Sequence, residues 1–188
     1  MNQQARLDLL QNFDQKSKEE VFHWLEDYLR FNTYEISIPA LRDETLAPAG
    51  QTGVMVSCLF DYPIVKNVEK AGWYDEFKEA FEAGVIRILS ESIYQGFDAD
   101  ILFRSSATPL TIQRVCGSSE GAITGWSFET PPPVVHTLKD IPQSVRTPLA
   151  NVYQAGQWAY SPAGVPIAML TGWYATQDIL KQAKKKSR

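Results

Sequence analysis

Beyond the stretch "SKEE" (Ser17 to Glu20), apolar residues recur at helical spacing: Val21, Phe22, Leu25, Tyr28 and Leu29. Ser17 with Glu20 three positions on has the form of a capping box, in which each side chain satisfies a backbone N–H at the helix start. The pattern predicts a first helix from about Lys18 to Phe31, stopped by Asn32 and Thr33. "YEISI" then alternates as a half-buried strand, and "GVMVSCLF" reads as a continuous apolar strand. The polar loop "PALRDETLAPAGQT" joins them, so antiparallel pairing is expected.

Further along, Phe77, Phe81, Val85, Leu89 and Ile93 recur every four residues and give a long helix one apolar face. Gly84 interrupts that helix with a residue worth ~1 kcal/mol less than Ala, which opens it to a break. "DADILFRSSATPLTIQRV" offers a strand from Ile101 to Arg104 and a turn at Thr108 and Pro109. "GSSEGAITGW" is glycine-rich, and the prolines of "ETPPPVVH" exclude a helix and make it a loop or linker. "LANVYQA" reads as a short strand centred on Val152 and Tyr153, and "GQWAYSPAG" as a turn. Pro166 suits the first turn of a closing helix, whose apolar face is Ile167, Leu170, Tyr174 and Ile179 or Leu180. Gly172 would permit close packing on that face. The order α-β-β-α-β, an irregular stretch, then β-turn-α fits an α+β fold better than strict strand–helix alternation.

The closing turn is where composition and chemistry add to the pattern. Gly156 and Gly164 let the backbone approach a ligand, because neither carries a side chain. Free N–H groups at Val165, Ile167 and Ala168, with the positive end of the helix dipole, would attract negative charge. A phosphate or the pyrimidine edge of a reduced flavin ring would suit; the alternative is a turn that is merely structural. Trp158, Tyr160, Trp173 and Tyr174 surround it, either as core or as an aromatic wall for a flat ring or polyene.

The remaining candidates are weaker. The 188 residues carry 18 basic and 22 acidic groups, a net charge of −4 that gives no footprint for nucleic acid. The basic tail, Lys181 to Arg188, reads as a solvated helix end or as attraction to an anionic membrane surface. Cys58 and Cys116 lack ligand spacing, and His23 and His136 have neither metal partners nor a triad, so no metal is expected. Asp98 and Asp100 read as a polar turn. No residue stands out as a general acid or base. Apolar runs are far below the ~18 residues that span a bilayer, and no leader is evident, so a cytoplasmic protein is expected, with peripheral membrane contact left open.

"TPLANVYQAGQWAYSPAGVPIAMLTGWYATQDIL" resembles the C-terminal signature of the phytoene desaturase-related FAD-dependent oxidoreductases. The matching positions are Gly156, Gln157 and Trp158, then Ala163, Gly164, Val165 and Pro166, then Thr171 and Gly172. Ala163 replaces the usual glycine, and Ile167 and Thr171 replace smaller residues. Upstream, Pro39, Asp43, Ala47, Pro48 and Gly50 are similar to the family's substrate-domain hairpin. Thr108, Pro109, Gly117, Glu120, Gly121 and Gly125 are similar to its turn before the last segment.

The resemblance implies FAD as cofactor, held by Gly156, Gln157, Gly164, Val165 and Pro166, with Trp158 and Tyr160 shaping the cavity for an apolar, isoprenoid substrate. It implies a substrate-domain-like region over residues 1–146, with a mixed or antiparallel sheet. The β-turn-α segment over 147–188 would then complete a Rossmann-type FAD domain. The GxGxxG half of such a domain is not in this sequence, so the chain is expected to be inactive alone. It would pair with an N-terminal FAD-binding chain or self-associate. A flavin amine oxidase and a non-catalytic interaction module are the alternatives.

Overall fold

The computed structural model describes residues 3–125, 135, 137–161 and 164–186. The proline loop apart from Val135, Trp126 of the glycine-rich stretch, and Ala163 of the closing turn lie outside the described residues. The protein is α+β, mostly helical, with one small antiparallel sheet. It divides into two compact units, Met1–Gly121 and Ala122–Arg188.

The first unit begins with α1 (Gln3–Asn12) and α2 (Lys18–Arg30). The capping box forms as its residues demand: Ser17 Oγ accepts from the Glu20 amide, and Glu20 accepts from the Ser17 amide at 2.7 Å. α2 buries Val21, Leu25, Tyr28 and Leu29. These pack with Ile64 and Val68 of α3 (Tyr62–Lys70) and Phe77 of α4 (Tyr74–Glu91), which makes the core of the unit. Aromatic rings close it. Phe60 lies edge-on to Tyr28, Phe77 and Phe81, with centroids 5.0, 5.9 and 5.4 Å away.

The expected strand pairing is present but short. β1 (Glu35–Ser37) and β2 (Met55–Ser57) pair antiparallel, with Ile36 opposite Val56. The continuous strand expected over "GVMVSCLF" shrinks to these three residues. The strand expected at Ile101 to Arg104 is not formed: Leu102 and Phe103 are 79% and 83% exposed, and without a neighbouring ladder an apolar run gains nothing from being extended.

α4 runs without a break through Gly84 and ends before Ile93. The glycine is there for space, not for a kink, because a Cβ at Gly84 would lie 2.5 Å from Leu29 Cδ1 on α2. The turn expected at Thr108 and Pro109 starts a helix, α5 (Pro109–Cys116), with Thr108 as N-cap and Pro109 in its first turn. Gly121 then closes on Pro109, with φ +68 and its α-carbon against the proline backbone.

In the second unit a short helix, α6 (Ile141–Ser144), precedes the closing helix α7 (Val165–Lys186). The strand expected at Val152 and Tyr153 reduces to a single antiparallel bridge between Arg146 and Tyr153, and a parallel bridge joins Val135 to Tyr160. The closing segment is therefore bridge, turn and helix. Among the described residues no helix is long and apolar enough to cross a membrane.

Candidate functional site: the turn into the closing helix

The segment from Gly156 to Pro166 is shaped by its two glycines. Gly156 has φ +100 and Gly164 φ +143, conformations that side chains with a Cβ rarely adopt. Among the described residues nothing lies within 4 Å of a Cβ built at Gly156, and only Pro166 Cδ, at 4.0 Å, approaches one at Gly164. Both glycines thus leave open space beside the backbone, which is what a flat ring in backbone contact needs.

α7 starts directly after Gly164. The Ala168 N–H is already taken by the Gly164 carbonyl at 2.9 Å, so of the three amides read as free, Ala168 is the helix's own first bond. The positive end of a 22-residue helix remains at this turn.

Within the turn, Ala159 and Tyr160 are each 1% exposed, and Gln157 and Trp158 are half-buried. Tyr160 thus sits in the interior, as the core reading of these aromatics expects. Ser161 is also 1% exposed, and its Oγ has no hydrogen-bond partner among the described residues. A buried hydroxyl left unsatisfied costs stability unless a ligand or water completes it. The open glycines and the helix terminus leave room for a ligand with a flat face and polar edge groups, such as a flavin ring. Neither Gln157 nor Trp158 carries a group able to transfer protons at neutral pH, so the turn is built to hold and orient.

The buried side of α7 differs from the expected face. Thr171 and Ala175 are its buried residues, at 0% and 7% exposure, while Ile179 and Leu180 are half in solvent at 50% and 49%. Gly172 has nothing within 4 Å of its Cβ position among the described residues, so no close approach occurs there. Thr171 is central to the turn instead: the Gly156 N–H donates to Thr171 Oγ1 at 2.9 Å. The signal for this residue was visible as a β-branched polar side chain in an otherwise apolar helix start. Ser161 carried no signal in the sequence, since its burial depends on tertiary packing. Asp178 anchors the other end by accepting from Arg146 Nε at 2.7 Å.

Comparison with known proteins finds the chain similar to the phytoene desaturase-related proteins, at the level of the family only. The 4,4'-diapophytoene desaturase (4,4'-diaponeurosporene-forming) of Staphylococcus aureus strain MRSA252 is 24% identical over 152 residues, 80% of this chain. The proteins of the same name from strains Newman and USA300 are 23% identical over the same length. The chain covers only 29% of the length of these relatives. No protein-family model matches the chain, and no solved structure matches it.

Proposed function

We propose that the chain is part of an FAD-dependent oxidoreductase of the carotenoid desaturase type, acting on carbon–carbon bonds of an apolar, isoprenoid substrate. The observation that carries this reading is the similarity to 4,4'-diapophytoene desaturases over 80% of the chain; the two glycines of the closing turn, at positive φ in this chain, are consistent with it. Residues 147–188 would supply the end of the FAD domain, and residues 1–146 the substrate side.

Gly164, Val165 and Pro166 would hold the flavin ring by backbone contact, with Gly156 and Gln157 beside it. The open space at both glycines lets the ring lie against main chain. The start of α7 would stabilise negative charge on the ring's pyrimidine edge. Half-buried Trp158 would keep water from the reacting face and offer an apolar wall to a polyene, with the interior Tyr160 packed in the core of the turn rather than facing the substrate. The chemistry supplied by FAD, when bound, is hydride exchange with the substrate's carbon–carbon bond. Desaturation also releases a proton from the carbon beside the one that gives up the hydride, and because none of these residues is a base that proton would pass to a group outside the turn. Their task is to bind, orient and exclude water.

The test supplies what the match leaves uncovered. The 188-residue chain, mixed with the uncovered part of a 4,4'-diapophytoene desaturase, should become yellow and absorb near roughly 450 nm. The chain alone should turn over neither isoprenoids nor amines; turnover of amines by the mixture would favour a flavin amine oxidase. Gly164→Leu should abolish flavin binding, because φ +143 is strained for any side chain and Leu would fill the open face. A folded Gly164→Leu mixture that keeps its flavin would remove the site assignment.

One observation favours a second reading, a non-catalytic interaction module. Val165, Met169 and Trp173 of α7 are 74%, 72% and 61% exposed and lie four residues apart on one side of the helix. A mixture that stays colourless but forms a stable complex would support it.

A further inference from the structure

We propose that Thr171 is a positioning residue, whose buried hydroxyl ties the entry of the glycine turn to the first turns of α7. The role rests on the flavin reading above and names the residue that sets the geometry of that site. A threonine inside a helix ordinarily returns its hydroxyl to a carbonyl three or four residues back. Thr171 does so, reaching the Ala168 carbonyl at 2.9 Å and the Ile167 carbonyl at 3.0 Å. The unusual feature is the partner on the other side. Oγ1 also accepts the Gly156 N–H, 15 residues earlier in the chain.

The one hydroxyl proton is shared among the Ala168, Ile167 and, at 3.5 Å, Gly156 carbonyls, while the lone pairs receive the Gly156 N–H, so donating and accepting do not compete. Thr171 is 0% exposed, and water is not at hand to replace either bond. Gly156, at φ +100, is the residue where the chain enters the turn, and Gly164, at φ +143, is where it leaves into the helix. One side chain therefore fixes the start of the turn against the helix that follows its end. The tie also occupies the Gly156 amide, so Gly156 contributes to the site through its open face and not as a free donor.

A residue without a hydroxyl at this position would fill the helix face but leave the Gly156 N–H without an acceptor. Thr171→Val keeps the side-chain shape and removes that acceptor. Thr171→Ser keeps the acceptor and removes only a methyl.

Residue-resolved hydrogen exchange on the full 188-residue chain tests the tie without any flavin. In the wild type the Gly156 amide should be protected along with the α7 amides from Ala168 onward. A Gly156 amide that exchanges as freely as an open loop overturns the proposal. In Thr171→Val its exchange should quicken by about tenfold, with circular dichroism unchanged and protection restored in Thr171→Ser. Thr171→Ala replaces the valine variant should that one fail to fold, and unchanged exchange in a folded variant lacking the hydroxyl overturns the proposal.

A second arm titrates FAD into the chain mixed with the uncovered part of a 4,4'-diapophytoene desaturase and reads the quenching of flavin fluorescence. Binding weakened by about tenfold in Thr171→Val, and recovered in Thr171→Ser, supports the positioning role. Faster exchange with unchanged FAD affinity overturns that role and leaves the cofactor reading intact. No FAD binding by the wild-type mixture overturns the cofactor reading itself, and the positioning role with it.

Discussion

At the scale of single residues, the environment of a glycine or cysteine decides what the sequence alone leaves open. Gly84 lies inside a helix-forming stretch and Gly121 in a glycine-rich one, and the sequence does not say what either glycine makes room for. Gly84 makes room for Leu29, whereas Gly121 sits with its α-carbon against the backbone of Pro109. A Cβ at Gly121 would lie 2.2 Å from the Pro109 carbonyl oxygen, and φ +68 adds strain. Gly121→Ala should therefore destabilise the first unit by about 2 kcal/mol or more, read as a lowered midpoint in urea. An unchanged midpoint would mean that the turn relaxes freely. The two cysteines differ in the same way. Burial pushes the Cys58 thiol above its ordinary pKa, while Cys116 is exposed. A raised pKa means less thiolate at pH 8, so Cys58 should alkylate about tenfold more slowly than Cys116 and gain ground only as the pH rises. Equal rates at pH 8, by mass spectrometry of the labelled chain, would contradict that environment.

At the scale of elements, legibility followed how local the determining interaction is. α2 was readable because its capping box and its apolar spacing both lie within the helix. The β1–β2 pairing was readable from two apolar runs and a loop, though not its length, which depends on what covers each face. α5 was missed because its box is built from Thr108 and Thr111, without the Glu or Gln that marks the usual form. α3 was missed for a different reason: Asp61, at its N-cap, gives its carboxylate to Arg6 of α1 at 2.6 Å instead of capping the helix. In the candidate site the turn and the helix start were readable, since glycine and proline act locally. The Thr171 tie spans 15 residues and requires the folded turn.

The Arg146–Asp178 pair gives the closing element a pH dependence. Its hydrogen bond to Arg146, more than any other contact, holds the Asp178 carboxyl below the usual carboxylate range. The folded pKa lies below the unfolded one, so the unfolded state binds more protons between the two values. The stability from this pair is then fully present above about pH 4 and lost as pH falls through the folded pKa. Asp178→Asn should lower stability at pH 7 and flatten the acid limb of a stability-versus-pH curve. A limb as steep as that of the wild type would assign the acid transition to other carboxylates, such as Asp8, which is also shifted down beside Lys16.

At the scale of the whole molecule, α7 carries apolar residues on more than the side it buries. Thr171 and Ala175 face inward, yet Val165, Met169, Trp173 and Leu180 remain exposed, with spacings of four, four and seven residues that keep them on one side. A helix apolar on opposite sides is normally enclosed, and a surface stripe of this kind is sticky in water. With nothing to cover the stripe, the 188-residue chain should self-associate through α7. Trp173→Glu places a charge in the middle of the stripe, and it should shift the association constant by about tenfold or more toward monomer. Lys184→Glu changes charge at the same end of the helix without touching the apolar residues, and it should leave association nearly unchanged in 0.15 M salt, where the screening length is about 8 Å. Sedimentation velocity distinguishes the outcomes. A wild type that stays monomeric at high concentration, or a Trp173→Glu chain that associates as strongly as wild type, would show that the stripe is not the adhesive surface.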